Sequence, residues 1–328
     1  MRLLTYSTQG RESPRVGFLQ DGWVVDTIRS TRWLKKNRSS SEDFDKISLG
    51  MRAILADWNH QFARVQNLAG RILKEDLSTL TVDNTPVAVK EASVHFHPPV
   101  PDPPTFRDFY AFERHVKAAR EKRGLEMDPT WYKIPVFYYS NPTSLYGHRA
   151  EVPKPAGTEA LDFELELGII IAGGGKDISA REAQKLIAGF TIINDWSARD
   201  IQREEMALNL GPAKGKDFAT SVGPYLVTAD ELEDSWKDDT LDLEMKAFRN
   251  GKEVSNGNAN DLYHSWGAII ERASSNTRLL PGDLLGSGTV GTGCILELQP
   301  ENVGGWLKRG DVMRLEIERL GALENTIV

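Results

Sequence analysis

The sequence has few of the features that mark secreted, membrane or disulfide-stabilised proteins. It contains one cysteine, Cys294, among 328 residues, which excludes an internal disulfide and predicts a reducing compartment. No apolar run reaches the length of a membrane span, and the residues that follow Met1 lack the apolar core of a signal peptide. We therefore expect a cytoplasmic protein without a membrane partner.

Positive charge is also scarce, and so are motifs for common cofactors. The chain has 40 Lys and Arg residues against 47 Asp and Glu residues, a net charge of −7 at pH 7, which argues against a nucleic-acid partner. The glycine run at 173–175 lacks a dinucleotide-binding fingerprint and predicts a loop. Five of the histidines show no metal-ligand spacing: His60, His95, His97, His148 and His264.

Acidic residues, in contrast, form a clear pattern at residues 161–167, LDFELEL. Apolar and acidic residues alternate there, as in a half-buried strand, so Asp162, Glu164 and Glu166 share one face. Neighbouring carboxylates on that face lie roughly 7 Å apart and repel each other. The simplest interpretation is a solvated strand face. The apolar run at 168–171 favours burial instead.

A second apolar stretch, residues 189–193, ends in Asn194-Asp195-Trp196 and places Asp195 at the end of a predicted strand. Converging carboxylates are stable together when a hard divalent cation neutralises them. The sequence therefore predicts a site for one divalent cation at Glu164, Glu166 and Asp195. Oxygen ligands favour Mg²⁺, with Mn²⁺ or Ca²⁺ possible, over Zn²⁺.

The rest of the chain predicts two domains. Residues 16–19 and 23–25 flank an Asp21-Gly22 turn and predict a hairpin. Residues 51–73 show helical spacing of apolar residues and predict one or two amphipathic helices packed on it. Residues 37–41 predict a loop, and 41–43 a helix start. The proline-rich stretch 97–104 predicts a stiff linker, which divides the chain into residues 1–100 and 101–328.

Five blocks carry a resemblance to a known family. They are LDFELELG at 161–168, NDWSARDIQ at 194–202, GKDF at 215–218, GSGT at 286–289 and NTIV at 325–328. In this order they resemble the fumarylacetoacetate hydrolase family from about Thr105 onward. The resemblance implies an α+β fold, with a mixed β-roll catalytic domain and a smaller N-terminal α+β domain. It also implies a homodimer, one bound divalent cation and a small oxo-acid substrate from aromatic catabolism.

The resemblance also assigns roles to individual residues. It implies metal ligands at Asp108, Glu164, Glu166 and Asp195, with Lys216 and Thr220 near the metal. It implies a general base at His115 oriented by Glu297, groups that stabilise negative charge at Arg199, Gln202 and Lys216, and substrate contacts at Tyr110, Gln202 and Thr289. Each residue alone has a simpler interpretation, such as a surface histidine, a solvated lysine or a turn threonine.

The function implied is metal-dependent hydrolysis of a carbon–carbon bond in a β-diketo acid, either an acylpyruvate or a fumarylacetoacetate-like compound. An oxo-acid decarboxylase or isomerase using the same site is the alternative, and a non-catalytic family member is a third possibility. Ala118 stands one helical turn after His115, where decarboxylase-like members carry a Glu, which favours the hydrolase. Met206 and Ser140 depart from family patterns and leave the exact substrate open. Residues 109–127 are charged and predict a lid.

Overall fold

The computed structural model describes residues 1–8, 13–38 and 44–328, which form an α+β structure around one large sheet. Within these residues the large sheet has twelve strands. Ten follow one another in space: Ala88–Lys90, Trp23–Asp26, Arg15–Gln20, Arg2–Ser7, Thr220–Thr228, Ile187–Asn194, Leu165–Ile171, Leu284–Thr289, Phe106–Phe109 and Phe137–Ser140. His95–Phe96 and Leu145–Tyr146 pair alongside Arg2–Ser7 and Thr220–Thr228.

The centre of this sheet is buried on both faces. Ile169 and Ile171 belong to one hydrophobic cluster, whereas Ile170 belongs to the other, because successive strand residues point to opposite faces. This confirms the burial predicted from the apolar run at 168–171.

The acidic run is not one continuous strand, which corrects the prediction for residues 161–167. Leu161–Asp162 pairs with Ser197–Ala198 in a separate small sheet, and the large-sheet strand begins only at Leu165. Between them, the Glu164 N–H donates to the Asn194 side chain at 3.0 Å. The chain therefore leaves the small sheet and enters the large one at the carboxylates.

The N-terminal region largely follows its sequence pattern. The predicted hairpin is confirmed, with Asp21 and Gly22 at positive φ, and residues 51–73 form two helices that share a hydrophobic cluster with it. A helix at Thr27–Arg38 was not predicted, and it corrects the loop prediction at 37–38. Its buried face carries Thr27, Ser30 and Thr31. The sequence therefore lacks the helical spacing of apolar residues that would have predicted this helix. The predictions for residues 39–43 lie outside the described residues.

The large sheet continues across the predicted domain boundary, because Arg2 and Leu3 pair with Val227 and Leu226. The division of the chain into two domains near residue 100 stays a prediction, because a shared sheet does not test whether the two parts fold separately.

The remaining elements surround this sheet. A second sheet contains Glu151–Val152, Gly321–Ile327, Val312–Ile317, Glu244–Arg249 and Lys252–Asn258, and two-stranded pairs are Gly175–Lys176 with Arg278–Leu279, Trp236–Lys237 with Thr240–Leu241, and Thr81–Val82 with Thr85–Pro86. The α-helices are Thr27–Arg38, Met51–Ala56, Trp58–Ile72, Glu113–Glu121, Ala180–Ala183, Arg199–Met206, Trp266–Ser274 and Ile295–Leu298. In the part of the chain that the structure describes, no helix has both the length and the apolar character needed to cross a membrane.

Candidate metal and active site

Two buried carboxylates converge beside a glycine of the large sheet, on the third strand from one edge. The Leu284–Thr289 strand lies between the strands that carry Asp108 and Glu166, and Gly286 is the register partner of Asp108. A Cβ atom on Gly286 would lie 2.3 Å from Asp108 Oδ1 and 3.0 Å from Glu166 Oε2. Gly286 therefore leaves the space in which these two oxygens converge.

Asp195 completes a cluster of three carboxylates. It follows the Ile187–Asn194 strand, and one oxygen each of Asp108, Glu166 and Asp195 lies within 4.8 Å of the others. Within the described residues, Asp108 Oδ1 and Glu166 Oε2 are buried and receive no hydrogen bond. Buried oxygens without a donor are costly, and an oxygen-only donor set suits Mg²⁺, Mn²⁺ or Ca²⁺. These three residues fit a divalent cation.

The pKa shifts of the three carboxyl groups also favour a cation site. Burial, followed by the charge of Asp195, raises the pKa of Asp108 well above its ordinary value, and burial together with the charge of Asp108 does the same for the pKa of Glu166. Burial also raises the pKa of Asp195, although Lys216 opposes the shift. If all three were ionised, these carboxylates would carry more negative charge than Lys216 balances, and a bound cation would offset the excess.

Glu164 lies beside this cluster but has cationic partners. Its Oε1 accepts from Arg199 Nη2 at 2.6 Å, and its Oε2 accepts from Lys216 Nζ at 2.5 Å. Burial raises the pKa of Glu164, but Lys216 and Arg199 outweigh burial and hold it below its usual range. Lys216 also donates to Asp195 Oδ2 at 2.5 Å. The structure thus brings together three of the four predicted ligands, whereas Glu164 lies outside that cluster and is linked to Asp195 through Lys216.

The second part of the site is a histidine–carboxylate pair. His115, on the Glu113–Glu121 helix, is 5% exposed, and its Nδ1 contacts Glu297 Oε1. The other Glu297 oxygen accepts from the Thr292 N–H at 3.0 Å. Burial raises the pKa of Glu297, but its hydrogen bond with His115 and the charge of that residue lower it overall. A carboxylate on Nδ1 leaves Nε2 of His115 to exchange a proton with a reactant.

The other predicted residues lie close to these groups. The Tyr110 ring packs against the His115 ring at 5.4 Å between centroids, and burial raises the pKa of Tyr110 to about 12. Gln202 Oε1 accepts from Arg199 Nη1 at 3.1 Å. Thr289 and Thr220 donate to Glu166 and Asp195 at 3.3 and 3.4 Å.

Three residues in the site were not assigned from the sequence. Gly286 makes space for the carboxylates, Tyr138 donates to Asp195 Oδ2 at 2.6 Å, and Asp162 accepts from Arg199 Nε at 2.8 Å. Asp162 was visible as the third acidic residue of the alternating run. Tyr138 carried no signal beyond a short apolar strand. A cavity of about 240 Å³ opens beside Tyr138 and Lys216, with Tyr139, Ser140 and Asn141 among its lining residues.

Comparisons with known proteins agree with this architecture. The fumarylacetoacetate (FAA) hydrolase C-terminal family matches residues 105–328. The chain is 31% identical over 246 residues to a fumarylacetoacetase of Arabidopsis thaliana, covering 59% of this chain and 58% of that protein. It is 32% identical over 196 residues to a mitochondrial oxaloacetate tautomerase of Homo sapiens, covering 60% of each. The chain thus spans about three fifths of the length of these curated relatives.

One solved structure extends the comparison to the whole chain. It is a maleylpyruvate hydrolase from Sphingobium sp. SYK-6 in complex with manganese(II) and pyruvate. The TM-score is 0.67 at 20% identity, with 100% of this chain and 99% of that chain covered. A likeness at this identity shows the fold, and it confirms the predicted α+β architecture.

Proposed function

The chain belongs to the fumarylacetoacetate hydrolase family, and from that premise we propose that it hydrolyses a carbon–carbon bond in a β-diketo acid with the help of a divalent cation. Acylpyruvates and fumarylacetoacetate-like compounds are the proposed substrate class. The observation that carries this proposal is the buried His115–Glu297 pair next to a cluster of three converging carboxylates.

Asp108, Glu166 and Asp195 are the proposed cation ligands. Glu164 is a fourth, because an oxygen that accepts one hydrogen bond keeps a second lone pair. The bound cation would supply a Lewis acid for the two oxygens of a β-dicarbonyl acid. The related hydrolase crystallised with manganese and pyruvate supports such a site, and we propose Mg²⁺ as the ion used here.

His115 is the proposed general base. Its Nδ1 is held by Glu297, so Nε2 takes a proton from water, and the water oxygen bonds to the acyl carbonyl carbon. The bond from that carbon to the adjacent methylene then breaks, and its electron pair passes into an enolate. The imidazolium returns a proton to the methylene carbon, which releases a carboxylic acid and, from an acylpyruvate, pyruvate.

Fixed donors stabilise the oxyanion formed in this step. Arg199 is anchored by carboxylates on both sides, and Gln202 accepts from it through Oε1, so the Gln202 amide nitrogen is left to donate. Lys216 adds a buried positive charge next to the cluster. Donors that are already oriented lower the barrier without reorganisation cost. Tyr110 and Thr289 are the proposed substrate contacts together with Gln202.

A second candidate function is tautomerisation or decarboxylation of an oxo acid. It is favoured by the 32% identity to the human oxaloacetate tautomerase, and it also uses an enolate. The histidine–carboxylate pair favours hydrolysis over decarboxylation, because decarboxylation requires neither an attacking water nor a base to activate it.

Turnover of a small panel tests this proposal. Acetylpyruvate, fumarylpyruvate, fumarylacetoacetate and oxaloacetate are each assayed with Mg²⁺, with Mn²⁺ and with excess chelator. We expect cleavage of at least one diketo acid, lost on chelation. Full turnover in excess chelator contradicts the requirement for a metal. Conversion of oxaloacetate that is far faster than cleavage of any diketo acid supports the second candidate function.

The assembly and location are part of the proposal. We propose a homodimer in the cytoplasm that acts in the breakdown of aromatic compounds. Leu208 and Leu210, which follow the helix carrying Arg199, are 81% and 95% exposed, and contact with a second copy would remove this apolar surface from water. Light scattering measures the oligomeric state, and a monomer at micromolar concentration contradicts the dimer.

A further inference from the structure

Asp162 is a buried carboxylate next to the proposed active site but is not one of the predicted ligands. It is 0% exposed and lies in the two-stranded pair Leu161–Asp162 with Ser197–Ala198. Its register partner is Ser197, two residues before Arg199. The strand pairing therefore places Asp162 next to the start of the Arg199–Met206 helix.

Each oxygen of Asp162 accepts two hydrogen bonds. Oδ1 accepts from the N–H groups of Phe163 at 2.8 Å and Ile295 at 2.7 Å. Oδ2 accepts from Arg199 Nε at 2.8 Å and from the Leu296 N–H at 3.0 Å. All four partners are donors. An asparagine here would turn its NH₂ group toward two of these donors in either orientation, so only a carboxylate satisfies the set.

One arm of this network holds Arg199. The guanidinium is bound through Nε to Asp162 and through Nη2 to Glu164, and its Nη1 donates to Gln202. The Nε contact fixes the plane of the guanidinium, because the five donors of arginine form a rigid fork. Asp162 therefore sets the direction in which Arg199 presents its remaining donors.

The other arm holds the short helix that carries Glu297. Ile295–Leu298 has four residues, and its N-cap residue, Cys294, makes no side-chain capping bond. The N–H groups of Ile295 and Leu296 bond to Asp162 instead. Orphan N–H groups at a helix start need an acceptor, and in a single turn that acceptor also sets how the turn is oriented. Glu297, one residue further on, contacts His115.

We propose that Asp162 is a positioning residue that holds Arg199 and the Glu297 turn in one fixed arrangement, so that the oxyanion donor and the general base act on the same carbonyl group. This inference rests on the proposed function for the roles of Arg199 and His115. Asp162 itself contacts neither substrate nor the reacting atoms.

The test uses Asp162→Asn with a matched control, Asp311→Asn. Asp311 is also buried, at 3% exposed, and accepts from Arg249 at 2.6 Å and from the Lys308 N–H at 3.0 Å. Asp162→Ser, whose hydroxyl accepts and whose smaller size admits water, serves as a second variant if the amide does not fold. Rates are referred to the folded fraction measured by near-UV circular dichroism.

We expect Asp162→Asn to lower kcat by about 10²-fold, the lower end of the range known for losing an oriented oxyanion donor, with KM and Mn²⁺ affinity changed by less than about threefold. In a Glu297→Gln protein the same substitution should cost clearly less than in the wild type, because only the arm that holds Arg199 is then left to lose. Asp311→Asn should leave kcat nearly unchanged. Folded Asp162 variants that keep kcat, or losses that multiply fully with Glu297→Gln, overturn the proposal.

A spectroscopic readout separates this inference from the proposed function. In the wild type, the proton between His115 Nδ1 and Glu297 should give a downfield proton resonance, which disappears in His115→Gln. We expect the resonance to weaken or shift in the Asp162 variants and to persist in Asp311→Asn, whether or not any diketo acid is cleaved. A wild type that cleaves no diketo acid refutes the function, whereas an unchanged resonance in the Asp162 variants refutes the positioning role.

Discussion

Replacing Glu166 by Gln should separate metal binding from folding. The substitution keeps the shape of the side chain but removes one of three carboxylates whose oxygens lie within 4.8 Å of one another. At that distance two like charges repel by about 3 kcal/mol at an effective dielectric constant of about 20. Part of this repulsion is relieved by protonation, since the pKa of Glu166 is already raised by burial and by Asp108. We therefore expect apo Glu166→Gln to melt at or slightly above the wild-type temperature.

Added metal should raise the Tm of the wild type but hardly change the Tm of Glu166→Gln. A cation present at 100 times its Kd stabilises the wild-type protein by about 2.7 kcal/mol, which corresponds to a rise in Tm of about 4 °C for a chain of this size. Glu166→Gln loses a ligand oxygen, so this rise should fall below about 1 °C at the same concentration of Mn²⁺ or Mg²⁺. Differential scanning calorimetry with and without the cation measures both effects.

Glu297→Gln is the matched control for these melting curves, because the Glu297 side chain is only 5% exposed and lies outside the carboxylate cluster. Its Tm should rise with metal as in the wild type. A Glu166→Gln protein that keeps the full metal-induced rise, or a wild type that shows none with any of Mg²⁺, Mn²⁺ and Ca²⁺, would refute the assignment of the cluster as a cation site.

Three further predictions concern the base, the helix that carries it and acid stability. His115→Ala and Glu297→Gln should each slow cleavage by about 10²–10⁴-fold, and the double variant should be little slower than His115→Ala; multiplying losses would show that the two act separately. Amide exchange in Glu113–Glu121 should slow when an oxo-acid inhibitor binds, and exchange that is already slow and does not change would contradict a lid. Burial, with help from Arg149, lowers the pKa of His148 to about 4, so between about pH 4 and 6.5 the unfolded chain binds more protons and the free energy of unfolding falls as pH is lowered. That loss should reach about 2 kcal/mol and be smaller in His148→Asn, as urea titrations at pH 7 and pH 4.5 would show; equal losses would contradict it.

Much of the site was predictable because its residue types are unusual where they stand. An acidic run that leads into a strand buried on both faces needs positive charge to balance its carboxylates. Asp195 was placed beside this run because it lies at the end of a second predicted apolar strand. The contact between His115 and Glu297, 182 positions apart, came from family resemblance, since periodicity carries no information about such distant pairs.

The rest depends on strand register, which the sequence pattern does not specify. Gly286 lies over Asp108 and Glu166 because of how three strands are aligned, and a one-residue slip would remove that contact. The same holds for Asp162, since the break in the acidic run at Glu164 turns it away from the cluster and toward Arg199 and Ile295. The alternating pattern predicted one face for all three carboxylates, whereas the structure divides their roles.

The incorporation of labelled oxygen during turnover tests the central proposal most directly. Acetylpyruvate is incubated with the Mg²⁺-loaded protein in H₂¹⁸O, and the products are analysed by mass spectrometry. Hydrolysis through His115 predicts one ¹⁸O atom in the carboxylate of the acetate released, with formation of that acetate lost in His115→Ala. Absence of labelled acid from every diketo acid tested, together with rapid conversion of oxaloacetate that survives His115→Ala, would contradict the account.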